Sequence, residues 1–142
     1  MKTSARNQFL GNVVQVKRGA VNDEIELALT SGKKIVATIT HQSAEDLGLQ
    51  PGVQAFAMIK ASSVILVVED DNAKFSARNR LAGIVSRVHS GVINSEVVID
   101  IDGGGALAAI IPNDSCNSLG LAVGTRAAGI FKASSVILGV LV

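Results

Sequence analysis

The sequence predicts an all-β fold built as two tandem copies of one five-stranded unit, and three observations predict it. Sliding the chain against itself by 72 residues aligns Ser4–Val68 with Ser76–Val140 without a gap, at 27 identities in 65 positions. That is a tandem duplication. Within each copy apolar and polar residues largely alternate at period 2, the periodicity of a half-buried strand. The composition, 48% hydrophobic and 18% charged in 142 residues, is that of a folded globular chain.

The elements follow in order. Leu10–Val16 and Glu24–Leu29 alternate as strands, and similar stretches run over Ile35–Thr40, Val53–Lys60 and Val64–Val68. Between the third and fourth, Ser43 is an expected N-cap with Asp46 three residues on, so a short helical turn should end before Gly48, and Pro51-Gly52 should turn the chain onward. The second copy keeps Ser115, Gly120 and Gly124 but has Val123 for the proline. Five strands and one helical turn in about 65 residues is the layout of an OB-like Greek-key β-barrel. The expected division is therefore barrel 1 over 3–68, a linker over 69–74 containing three acids, and barrel 2 over 75–142. Units this small bury only about 60% of their unfolded surface, so intimate packing between copies and between chains is expected.

Composition also narrows the function. The longest apolar runs, Val64–Val68 and Val136–Val142, fall well short of the roughly 18 residues that span a bilayer, and no apolar stretch follows the basic start of the chain. A cytoplasmic protein with no membrane partner is expected. A net charge of +1, no Trp or Tyr and four Phe leave little for tracking phosphates or stacking bases, so no nucleic-acid partner is expected either. Cys116 stands alone and reads as a small core residue. Gly103-Gly104-Gly105 lacks the Lys-Ser/Thr that a phosphate loop requires and reads as a hairpin.

The duplication serves as a filter on candidate residues. The charged residues retained in both copies are Arg6/Arg78, Glu24/Glu96 and Lys60/Lys132, whereas His41 aligns with Asn113 and His89 with Lys17. Two cations and one acid per copy suit an anion and supply no carboxylate pair for acid/base work, so no catalytic residue and no enzyme is expected. Ser-Ala-Arg-Asn at the start of each copy and Lys-Ala-Ser-Ser near its end are the strongest constellation. A tetrahedral dianion is best held by charge-assisted donors, hydroxyls and backbone N–H groups, which Arg, Lys, Ser and small Ala neighbours provide. The competing reading is solvated surface cations beside turn serines. A second constellation, Gly19-Ala20-Val21-Asn22 and Gly91-Val92-Ile93-Asn94, reads first as a plain hairpin connection, though its apolar pair is unusual in a solvated loop.

Read in order, Ser4-Ala5-Arg6-Asn7, Gly19-Ala20-Val21-Asn22 and Ile59-Lys60-Ala61 resemble the Mop, or molbindin, family of molybdate-binding domains, and the resemblance repeats in the second copy. It implies storage and homeostasis of molybdate, with tungstate as a mimic and no catalytic cofactor, in a homotrimer of doubled chains. One class of site, between paired domains, would use Ser4, Ala5, Arg6, Lys60, Ala61 and Ser62, and Ser76, Ala77, Arg78, Lys132, Ala133 and Ser134. A second class, on a threefold axis, would use Gly19, Ala20, Val21 and Asn22 and, less closely, Gly91, Val92, Ile93 and Asn94. The second axial site is expected to be the weaker, since His89-Ser90 replaces Lys17-Arg18. An OB-type nucleic-acid binder and a sensing module acting with a regulator are the alternatives.

Overall fold

A computed structural model describes residues 1–142. The first copy contains β1 (Asn7–Lys17), β2 (Asn22–Leu29), β3 (Lys34–Thr40), α1 (His41–Asp46), β4 (Gln54–Ile59) and β5 (Ile65–Val67). The second contains β6 (Asn79–Ser90), β7 (Asn94–Ile101), β8 (Ala106–Pro112), α2 (Asn113–Ser118), β9 (Arg126–Phe131) and β10 (Ile137–Gly139). A 3₁₀ turn, Ala61–Ser63 or Ala133–Ser135, leads into each short last strand. The alternation seen in the sequence is the alternation of burial: in β2, Asp23, Ile25 and Leu27 point inward and the residues between them are more exposed. The helix begins earlier than Ser43. Thr40 is the N-cap, its hydroxyl accepting from the Ser43 amide at 3.1 Å, so Ser43 sits inside the first turn.

Each sheet takes its fifth strand from the other copy. The hydrogen-bonded orders are β10-β4-β1-β2-β3 and β5-β9-β6-β7-β8, antiparallel throughout. The strand count per copy is as expected, but each curled half-barrel mixes residues of both copies. One consequence is a single hydrophobic core of 26 buried residues shared by the two halves, to which β5 contributes Leu66 and β10 contributes Leu138. The run from Val136 is core strand only as far as Gly139, and Leu141 and Val142 are exposed. Cys116 is buried, as its neighbourhood implied.

Side-chain size matches the exchange. Gly139 lies opposite Phe56, and Val67 lies opposite Ala128. A Cβ at Gly139 would stand 2.4 Å from the tip of the Phe56 ring, so any larger residue there requires the ring to move. Without the exchange, Val67 would take the place opposite Phe56 and Gly139 would face Ala128, giving one overfilled and one underfilled contact. The two terminal strands are thus each fitted to the other copy.

A second device closes the open edges. Asn7 and Asn79 are fully buried, and each side-chain amide forms a two-point bridge to a peptide of the other copy. Asn79 donates to the Val36 carbonyl and accepts from the Val36 N–H, both at 2.8 Å. Asn7 does the same with Ala108, again at 2.8 Å. These peptides belong to β3 and β8, the edge strands of the two sheets, so the amide stands in for a missing strand and blunts an edge that would otherwise invite another chain.

Two outcomes test this account. Asn7→Ala or Asn79→Ala leaves one buried N–H and one C=O unpaired and should cost about 2–4 kcal/mol in urea unfolding; a loss below the error of the method would show that the clamp contributes nothing. Gly139→Val should cost about 1–3 kcal/mol by overpacking and should cost less in a Phe56→Ala background. Strictly additive effects in that cycle would end the size-matching argument.

Candidate functional site

The chain folds so that the start and the end of each copy meet. β1 pairs with β4, with Asn7 opposite Ile59, which places Ser4-Ala5-Arg6 beside Lys60-Ala61-Ser62 at the mouth of the first sheet. β6 pairs with β9 in the same register, Asn79 opposite Phe131, and does so for Ser76-Ala77-Arg78 and Lys132-Ala133-Ser134. All twelve residues expected at interdomain sites therefore line two related clefts. The first is an open cavity of about 400 Å³ that also includes Thr3, Met58, Ile110 and Ile137. The second, of about 570 Å³, also includes Phe75, Ile130, Thr38 and Ile65. Ile110 and Ile137, like Thr38 and Ile65, come from the copy that does not supply the Ser-Ala-Arg and Lys-Ala-Ser segments. Each cleft is an interface between copies.

Charge is arranged unevenly within the clefts. Arg6 pairs with Glu96 at 3.0 Å and Arg78 with Glu24 at 2.8 Å, so the acid retained by the duplication holds the retained arginine of the other copy. Each pair uses one terminal nitrogen of the guanidinium, leaving further N–H donors of the planar fork available to an oxygen in the cleft. Neither Lys60 nor Lys132 has a carboxylate within ion-pair distance. Ala61 and Ala133 are buried at the start of the 3₁₀ turns, where the small side chain leaves the backbone close to the cleft floor. The arrangement offers cations, hydroxyls and N–H groups to a compact anion and contains no group placed as a general base.

Of the two loops expected on a threefold axis, the first shares no lining residue with these clefts, whereas the second adjoins the first cleft, because Arg6 and Ile110 line both that cleft and the groove beside Gly91 and Asn94. Gly19 is required by geometry, because a Cβ there would stand 2.2 Å from the Asn22 carbonyl oxygen, which supports the hairpin role. The apolar tips are uncovered: Val21 is 73% exposed, Val92 98% and Ile93 73%. The loops also differ in their anchors. Beneath the first, buried Asp23 accepts from the Gly19 N–H at 2.9 Å and from the His41 ring, whose Nδ1 lies 2.9 Å from Oδ2. His41 reaches Glu45 at 3.0 Å with its other nitrogen. Beneath the second, Ser95 and Asn113 take those places, Asn113 donating to the carbonyls of Gly91 and Val92 at 3.0 and 3.2 Å.

The charges near the loops do not follow the loop sequences. Arg6, Arg87 and His89 gather with Glu96 around a groove of about 380 Å³ beside Gly91 and Asn94. Arg18, in contrast, lies 3.8 Å from the carboxylate of Asp23. The expectation of a weaker second loop counted only Lys17-Arg18 against His89-Ser90 and omitted these neighbours. Sequence reasoning likewise passed over Asp23, His41 and the two clamp asparagines. Asn7/Asn79 were visible as retained residues, whereas Asp23 and His41 failed the duplication filter because the second copy replaces both with neutral groups.

A TOBE domain model matches residues 3–66 and again 76–138. The chain belongs to the TOBE domain family. The molybdenum-pterin-binding protein MopA of Rhodobacter capsulatus is 47% identical over 138 residues, which are 97% of this chain and 52% of MopA. The molybdenum transport protein ModE of Azotobacter vinelandii is 45% identical over 140 residues, 99% of this chain and 52% of ModE. The DNA-binding transcriptional dual regulator ModE of Escherichia coli (strain K12) is 32% identical over 142 residues, 53% of its own length. The chain thus spans about half the length of the curated relatives it matches. Among solved structures, the cytoplasmic molybdate-binding protein ModG with molybdate bound superposes at a TM-score of 0.97 and 40% identity, covering 99% of this chain and 100% of ModG. The tandem TOBE architecture is therefore that of ModG, and no helix in it is long and apolar enough to cross a membrane.

The Asp23–His41 anchor generates a pH prediction specific to the first TOBE copy. The Gly19 N–H and the His41 ring hold the Asp23 carboxyl below its ordinary value, and the hydrogen bond to Asp23 raises His41 above its ordinary 6.5. A raised histidine contributes stability below its unfolded pKa and loses it as pH rises through the folded one; a depressed carboxyl contributes above its unfolded pKa and loses it as pH falls through the folded one. Amide-exchange protection at Gly19 should therefore peak between the two and decline on either side. Gly91, whose N–H is held by the Asn94 carbonyl, should show no such dependence, and Gly19 in a His41→Asn chain should lose the decline at high pH while keeping the one at low pH. Parallel pH profiles at Gly19 and Gly91 would refute the anchor.

Proposed function

We propose that the chain binds molybdate, with tungstate as a close mimic, as an intact oxyanion held by charge and hydrogen bonds in the two clefts between its TOBE copies. The observation that carries this reading is the convergence, twice in one chain, of Ser-Ala-Arg and Lys-Ala-Ser into a cleft walled by the other copy. The likeness to ModG, whose structure holds molybdate, supports the choice of anion, and the description of ModG as cytoplasmic supports the same location here. The exposed apolar tips at Val21, Val92 and Ile93 support an assembly in which loops from three chains meet on an axis, giving the second class of site. Binding without chemical conversion fits storage and homeostasis of the anion.

A second reading, a sensing module acting with a regulator, is favoured by the ModE relatives, which are about twice as long as this chain. DNA contact would then belong to the remainder of such proteins. The near-neutral charge of this chain supports no nucleic-acid binding of its own, and an electrophoretic shift assay at low salt distinguishes the cases.

Equilibrium dialysis against molybdate, tungstate, sulfate and phosphate is the direct test, with molybdate and tungstate expected to be retained over sulfate. For anions of equal charge the selection must come from cage size and donor placement. The Arg6→Ala, Arg78→Ala double variant should lose the cleft stoichiometry while sedimenting as the same oligomer. Retention of sulfate as strongly as molybdate would end the reading, and full stoichiometry in the double variant would remove the arginines from it.

A further inference from the structure

The two clefts are built on the same six repeated residues but differ in the residues around them, and the differences bear on the number of hydrogen-bond donors each can offer. In the first cleft the Thr3 hydroxyl accepts from the Ala5 N–H at 3.1 Å, which consumes a backbone donor lying between Ser4 and Arg6. In the second, Phe75 stands in place of Thr3 and cannot accept, and the Ala77 N–H makes no hydrogen bond within the chain. The wall supplied by the other copy differs in the same sense. It carries Ile110 in the first cleft and Thr38 in the second, at equivalent places directly across the strand pair from Glu96 and Glu24. Residues opposite one another in a strand pair share a face, so the Thr38 hydroxyl stands on the face where Glu24 holds Arg78.

We propose that the clefts are unequal, and that the one formed by Ser76, Ala77, Arg78 and Lys132 binds the oxyanion more tightly, with Thr38 and the free Ala77 N–H as additional donors. This rests on the molybdate reading and specifies how the chain grades its two sites. Both donors are neutral groups facing an anion, where each charge-assisted hydrogen bond is worth roughly tenfold in affinity. The first cleft, lined by Ile110 and with Ala5 already engaged, is then the site that empties first as the anion becomes scarce.

The test uses the full chain with one cleft disabled at a time. Lys60→Ala leaves the second cleft and Lys132→Ala leaves the first, while the loop sites are common to both, so calorimetric titration with molybdate reads the clefts by difference. The Lys60→Ala chain should bind at least tenfold more tightly than the Lys132→Ala chain. Thr38→Val in the former should weaken binding roughly tenfold, and Ile110→Thr in the latter should strengthen it, a gain that loss of folding cannot imitate. Equal affinities in the two chains, unmoved by Thr38→Val and Ile110→Thr, overturn the inference while leaving molybdate binding intact. A wild-type chain that binds no molybdate overturns the functional reading and this grading with it.

Discussion

The exchange of terminal strands is the constraint on which the rest of the structure depends. A five-stranded unit of this size has too little interior to stand alone, and the chain meets that limit by laying β10 against β4 and β5 against β9, so that one core serves both copies. The exchange draws the start of each copy against the third strand of the other. There the Asn7 and Asn79 amides bridge the edge peptides of Ala108 and Val36, and the neighbouring residues, Arg6 and Arg78, reach Glu96 and Glu24. Edge protection and ion pairing are thus successive residues of one segment, set by one register.

That register also makes the two clefts. Because Ile137 follows Ala133-Ser134-Ser135 into the other copy's sheet, it forms part of the wall of the first cleft, and Ile65 does so in the second. The clefts exist only when the strands are exchanged. The arginine–glutamate pairs hold positive charge at the rim in a defined direction, and exposed ion pairs of this kind add little to stability, so their retention in both copies is better explained by orientation than by strength. Lys60 and Lys132, with no carboxylate in reach, leave net positive charge for an anion to neutralise.

Much of this was legible in the sequence, for identifiable reasons. Period-2 alternation and the gap-free repeat reveal the strands, because burial on one face of a sheet imposes that pattern on every strand. The pairing of Ser-Ala-Arg with Lys-Ala-Ser follows once the first and fourth strands are neighbours. The exchange was not legible, since β5 and β10 have the same local pattern whichever sheet they join; only the size match of Gly139 with Phe56 and Val67 with Ala128 distinguishes the pairings, and that is seen when opposite residues are known. The helix start was misplaced because Ser43 and Thr40 are both good caps, and the choice is made by which hydroxyl meets a free N–H.

Using the duplication as a filter had a cost that the structure makes explicit. It selected Arg6/Arg78 and Lys60/Lys132, which the fold brings into the two clefts. It discarded every residue by which the halves differ: Asp23 and His41 against Ser95 and Asn113, Thr3 against Phe75, Thr38 against Ile110. Those positions surround the shared residues and decide which donors are free and which are already occupied. A ligand that binds only the folded, exchanged chain stabilises it in proportion to the logarithm of its concentration over the dissociation constant, about 2.7 kcal/mol at a hundredfold excess. Two graded sites therefore extend the range of anion concentration over which the exchanged fold gains stability, a property that two identical copies would lack.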